Sequence, residues 1–179
     1  MDPALKDCIR ALATREEPSP LVPRMIRDPK LDASIERLLP DTDPLKSALH
    51  LWNDNLTRAH EIAQEIETQT GSYLHGVMHR REPDYGNAKY WFRRVGDHPN
   101  FPGVRSLAHQ LLSGPFTDLK EIRATIEKSK SWGGFQMIDW CEEAGSREDS
   151  FARFLRALQF KEIALLVDLC FVSSGHQKT

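Results

Sequence analysis

The chain has 179 residues, 40% of them hydrophobic and 28% charged, with 24 basic against 26 acidic side chains and a net charge of −2. That length suits one domain with a sizeable core, and the balance excludes a disordered chain. It also excludes a chain-wide electrostatic attraction to nucleic acid or to an anionic membrane.

Three cysteines, Cys8, Cys141 and Cys170, without CxxC spacing predict reduced thiols, neither a disulfide framework nor a structural zinc site. The stretch over 1–17 lacks the uninterrupted apolar run of a signal peptide, and none is expected. Arg156, Lys161, Glu162 and Asp168 interrupt the greasy run near its end, so the expectation is a cytoplasmic protein without a membrane span.

Apolar residues recur at helical spacing and no alternating strand series occurs. The expected fold is therefore all-α: a nonrepetitive orthogonal helical bundle forming one domain over 1–179. A first helix is predicted over Pro3–Arg15, capped by Asp2 with Pro3 in its first turn. Four prolines then make 16–30 irregular, a segment that wraps the domain. A brief helix over Leu31–Leu39 stops at Pro40. Asp43-Pro44 opens a long helix to about Thr68, with Leu45, Leu49, Trp52, Leu56, Ala59 and Ala63 on one stripe and Asn53 and His60 at its border.

The next helix runs from Gly71 or Ser72 to Arg81, ended by Pro83. Asp84 caps another over Tyr85–Val95, ended by Gly96 and Pro99, and the short turn between them predicts an αα-hairpin. Gly76, Ala88, Phe92 and Pro99 fall near the small, aromatic and proline positions of a tetratricopeptide or Sel1-like repeat, which the hairpin resembles. No second copy follows, so one repeat-like hairpin inside a nonrepetitive bundle is expected. Helices over Val104–Leu112, Asp118–Lys130, Phe135–Ala144 and Glu148–Val172 complete the order, the last as one helix or two. Its Phe151, Phe154, Leu155, Leu158 and Leu166 pack into the chain or leave a homodimer interface open.

Residues 73–98 concentrate the chemistry: all three tyrosines, Trp91, and His75, His79 and His98 of the seven histidines. The basic and acidic side chains of 75–98 leave a local charge of +2. His75 and His79 stand at the i,i+4 spacing that points two imidazoles at one ion, with His60 and Glu82 the sensible additional ligands. Zinc, iron or manganese suits such a set. HxxxH is a weak signal by itself, and His75-Gly76-Val77 is not the HExxH hydrolase pattern.

A second reading uses the same hairpin as a polar, aromatic-lined pocket. There His75, His79, Arg80 or Arg81, Asn87, Tyr90 and Trp91 hold a small polar or anionic ligand. The functional expectation is a ligand-binding or interaction protein, with a metal-dependent enzyme using the histidine cluster as the alternative. A structural subunit with a satisfied polar hairpin is the third possibility. No nucleophile elbow, phosphate loop or dinucleotide fingerprint is present, and Cys141 reads as a core thiol.

The motifs Leu74-His75-Gly76, His79-Arg80-Arg81-Glu82-Pro83-Asp84-Tyr85, Asn87 to Gly96 and His98-Pro99, with Leu51-Trp52 and Ala59-His60 before them, resemble a family of helical bacterial and fungal proteins. The resemblance covers about 50 of the 179 residues. It implies homology and brings no activity with it. Its members often carry histidine near the position of Asn53, so this departure argues against a metal set needing a second imidazole from that helix.

Overall fold

The first three helices start with the same device, an Asp-Pro pair. In the computed structural model, which describes residues 2–176, α1 (Pro3–Ala13), α2 (Pro29–Leu38) and α3 (Pro44–Trp52) each have an aspartate cap and proline in the first turn. Asp2 accepts from the Ala4 N–H, Asp28 from Lys30 and Leu31, and Asp43 from Leu45. Proline there forfeits no helical hydrogen bond, and the carboxylate satisfies amides that the first turn leaves free.

α4 (Leu56–Ala63), α5 (Gln69–Arg81), α6 (Tyr85–Val95), α7 (Phe101–Ser113), α8 (Lys120–Lys128), α9 (Phe135–Ala144) and α10 (Ser150–Ser173) follow. The described residues thus form an all-α, nonrepetitive bundle of ten helices. No described helix is long and apolar enough to cross a membrane.

The single long helix expected over Pro44 to Thr68 does not form. Asn53-Asp54-Asn55 breaks it, with Asp54 in the left-handed region at φ 67°. Each of these short polar residues finds a better partner outside a helix. The Asn53 amide donates to the Asp28 carbonyl at 2.9 Å, and Asn55 caps α4 through the Arg58 N–H at 3.1 Å. Arg81 donates to the Leu51 carbonyl and the Asp54 carboxylate, both at 2.5 Å. Asn53 and His60 therefore do not share one helical face. The break folds α4 back on α3, where the Ser47 hydroxyl donates to the Ala59 carbonyl at 2.9 Å, and α4 also packs on α5.

α5 is buried on every side from Gly71 to Arg81. α3, α4, α6 and α10 all pack on it. Close approach of α6 depends on Gly76, where an added Cβ would lie 2.7 Å from the Phe92 ring. Gly134 (φ 74°) abuts the same ring, so Phe92 sits between two glycines.

α10 is one unbroken helix of 24 residues. Its Phe151, Phe154, Leu155, Leu158, Ile163 and Leu166 are buried within the chain, against α3, α7 and α9 among others. The exposed large hydrophobics Met25, Tyr90, Phe135 and Val172 are single residues on different elements.

The irregular segment expected over 16–30 ends at 28, where α2 begins with Pro29, and forms a strap across the bundle. Ser19 donates to Asp54 at 2.8 Å, the Arg27 N–H to the Asn53 carbonyl at 3.1 Å, and Gln159 of α10 to the Leu21 carbonyl at 3.4 Å.

Candidate metal centre

Two helices supply three imidazoles to one point. α4 contributes His60, and α5 contributes His75 and His79, one turn apart. One ligand atom from each lies within 4.8 Å of the others. The ring centroids are 4.6 Å apart for His60 and His75, 5.2 Å for His60 and His79, and 4.8 Å for the stacked His75 and His79. The break after α3 makes this possible, because it redirects α4 so that His60 faces α5.

His75 and His79 are buried, with 3% and 8% of their surface exposed, and His60 is half-buried. Both ring nitrogens of His75 and the Nδ1 of His79 are buried without a hydrogen-bond partner. Leaving a buried polar atom unpaired costs about 1–3 kcal/mol, and native proteins leave few such atoms. Burial pushes the His75 pKa down to about 3, helped by the neighbouring His79 and His60 imidazoles. The same burial, with His60, lowers His79, while the Asp84 carboxylate opposes the shift. Both rings are accordingly neutral at pH 7, the state in which imidazole offers a lone pair to a metal.

The surroundings orient this trio. Trp91 of α6 stacks on His75 with centroids 3.9 Å apart and planes 19° from parallel. The Arg94 guanidinium covers Trp91 at 5.2 Å, and Tyr90 meets its edge at 5.4 Å. Glu82 and Asp84 bring carboxylate oxygens to 3.7 and 4.0 Å from His79 Nδ1. Glu82 thus stands beside His79 and outside the group of converging ligand atoms.

The pocket candidates divide. His75, His79 and Trp91 share one surface. Arg80 lies on the opposite face of α5, fully buried, paired with Glu162 and donating to Gln159 at 3.2 Å. Glu162 also accepts from the Tyr73 hydroxyl at 2.8 Å, and burial with that carboxylate raises the Tyr73 pKa. Arg81 is spent on Asp54. Asn87 is exposed and donates to Asp84 at 2.7 Å, and Tyr90 is 48% exposed. A helix buried all round sends neighbouring residues into different interiors, which a reading of one hairpin face does not anticipate. His98 is accounted for within the core: Thr70 lies 3.3 Å from Nε2, the Asn100 N–H donates to Nδ1, and Tyr73 meets it edge-on.

One buried histidine was not singled out by the sequence. His50 of α3 faces Asp32 at 2.8 Å through Nδ1 and Glu36 at 3.1 Å through Nε2. Around it, Asn55 donates to Asp32, and Lys46 and Arg58 bridge Glu36 and Asp41. The signal was present: Asp32 and Glu36 are an i,i+4 carboxylate pair on one face of a short helix.

Scans against protein-family models and searches of curated proteins and of solved structures found no match to this chain.

Proposed function

We propose that His60, His75 and His79 hold one transition-metal ion and that the protein is a metal-dependent enzyme. The observation that carries this reading is the convergence of three imidazoles, two of which, His75 and His79, have buried nitrogens without a partner. Imidazole suits zinc and iron better than manganese, which prefers oxygen ligands. Three imidazole ligands would leave a coordination position open, and a zinc ion there would lower the pKa of a bound water to about 7. Glu82, with a carboxylate oxygen 3.7 Å from His79 Nδ1, is the acidic group that would accept a proton near that position. Glu82 is also the nearest carboxylate to complete the ligand set as an alternative to water.

A metal-free ligand pocket is the second reading, favoured by Trp91 lying flat on His75. It loses support from Arg80, Asn87 and Tyr90, whose side chains are engaged or directed elsewhere. In either reading the α5–α6 pair acts as a repeat-like hairpin scaffold within an orthogonal bundle. Three buried free thiols fit a reducing compartment such as the cytoplasm.

The experiment is elemental analysis of protein purified without added metal, followed by titration with Zn²⁺ and with Co²⁺ read by visible absorption. The expected result is one ion per chain, lost on joint His75→Ala and His79→Ala substitution and kept in His98→Ala. Absence of stoichiometric metal under all reconstitution conditions overturns the reading.

A further inference from the structure

An open cleft of 630 Å³ lies beside the three-histidine cluster, with none of the three histidines in its walls. Its walls are the strap at 22–26, the start of α4, and the end of α5 with the turn into α6. Two of its lining residues, Glu82 and Asp84, are the ones whose carboxylates reach 3.7 and 4.0 Å from His79 Nδ1. A third, Thr57, lies one turn before His60 on α4. The cleft therefore approaches His79 through its Glu82 and Asp84 wall.

Five charged side chains line it: Arg24, Asp54, Arg81, Glu82 and Asp84. Arg81 and Asp54 neutralise each other at 2.5 Å. If a divalent ion occupies the histidines, Glu82 and Asp84 balance its two charges. Arg24 is the lining charge left over, and it has no ion pair among the described residues. Val22, Ile26 and Leu56 add apolar surface to the same walls.

We propose that this cleft is the substrate side of the metal site and that it takes a small organic acid. The carboxylate of the acid pairs with Arg24, its carbon chain lies on Val22, Ile26 and Leu56, and its far polar end reaches the ion. The assignment rests on the metal reading above. It extends that reading by fixing the charge and the polarity order of the ligand.

Cobalt-loaded full-length protein tests it, with hydroxamates as metal-seeking probes of defined tail. Butyrohydroxamate carries a neutral tail, succinate monohydroxamate a carboxylate tail, and 4-aminobutyrohydroxamate an ammonium tail. The carboxylate tail should bind about three- to fivefold more tightly than the neutral one, the range for a partly exposed ion pair. Arg24→Gln should remove that advantage, and Arg24→Lys should keep part of it. Equal affinity for the neutral and carboxylate tails, preference for the ammonium tail, or no spectral response to any hydroxamate overturns the cleft assignment while cobalt remains bound. Failure to load cobalt at all is seen before any probe is added and overturns the metal reading itself.

Discussion

His50 and His75 lie on helices that touch, α3 and α5, and are buried to nearly the same degree, at 0% and 3% exposure. Their chemistry is opposite. Both nitrogens of His50 face carboxylates that Lys46, Asn55 and Arg58 hold in turn. Neither nitrogen of His75 faces any partner. Burial of a histidine is thus no mark of function, because a chain can supply everything the ring requires. The informative residue is the one whose hydrogen-bonding capacity the fold leaves unused.

Substitution should separate the two regions most sharply. Structural zinc binding of ~10–16 kcal/mol shared over four ligands assigns roughly 3 kcal/mol to each, so losing either His75 or His79 should weaken metal binding by about a hundredfold. His50→Ala should leave metal stoichiometry intact. It should instead destabilise the fold by about 1–3 kcal/mol, since it removes a buried ring and its two carboxylate contacts while Lys46, Asn55 and Arg58 still hold the carboxylates. Metal titration and urea unfolding of the same variants read both arms. Metal loss in His50→Ala with an unchanged urea midpoint would reverse the assignment of the two regions.

Acid should separate them by pH window. In the metal-free protein an unfolded His75 takes up its proton near pH 6.5 but the folded ring only near pH 3. The unfolded chain binds more protons between those values, so stability falls as pH drops below about 6.5. His79 and His98, also lowered by burial, act in the same direction. In the His50 region the sign of the effect is the same and the window lower. Hydrogen bonds from Arg58, then Lys46, hold the Glu36 pKa at about 2 against the ordinary 4.5. That contribution is complete above pH 4.5 and disappears as pH falls towards 2. Urea unfolding across this range should show a smaller slope between pH 6.5 and 4.5 in His75→Leu. Arg58→Met should leave that upper slope alone and flatten the part below pH 4.5.

Both helix ends of α6 and of α9 agree with the sequence reading, because their signals are local: Asp84 and Gly96 bound the first, Gly134 and Gly145 the second. α7 instead begins earlier than the apolar pattern indicated, since Pro102 is tolerated in a first turn. The Asn53–Asn55 break depends on Asp28 and Arg81, partners 25 and 27 positions from the residues they bind, and nothing nearby announces it. For the site, the His75–His79 spacing was readable from helical periodicity. The approach of His60 was expected on the wrong ground, a continuous helix, and arises from the turn that breaks it. Arg80 is not legible as a core residue because its partner, Glu162, lies 82 residues away.

A smaller effect bears on whether His75 is kept for binding at the cost of stability. His75→Leu removes two unpaired buried nitrogens and keeps most of the side-chain volume. The metal-free variant should therefore be more stable than the parent by about 1 kcal/mol, at the low end of the cost of an unpaired buried polar group. The equivalent His50→Leu should be less stable than the parent, because the ring's two carboxylate contacts are lost. Destabilisation of similar size in both variants would show that the His75 ring is held by packing alone, with no penalty to relieve.

Trp91 offers the mildest test. Its indole lies against one face of His75, so it restricts the ring without competing for either nitrogen. A stacked aromatic pair contributes about 0.5–1.5 kcal/mol beyond the area it buries. If that restriction aims His75 at the shared point, Trp91→Leu should weaken metal binding by about fivefold, which corresponds to about 1 kcal/mol. Trp91→Phe, which keeps an aromatic face there, should retain most of the affinity. The His50 region has no such stacked ring, so the same substitution should leave its acid window below pH 4.5 where it was. Equal losses in the leucine and phenylalanine variants would point to indole bulk, and the aiming role of the stack would fall.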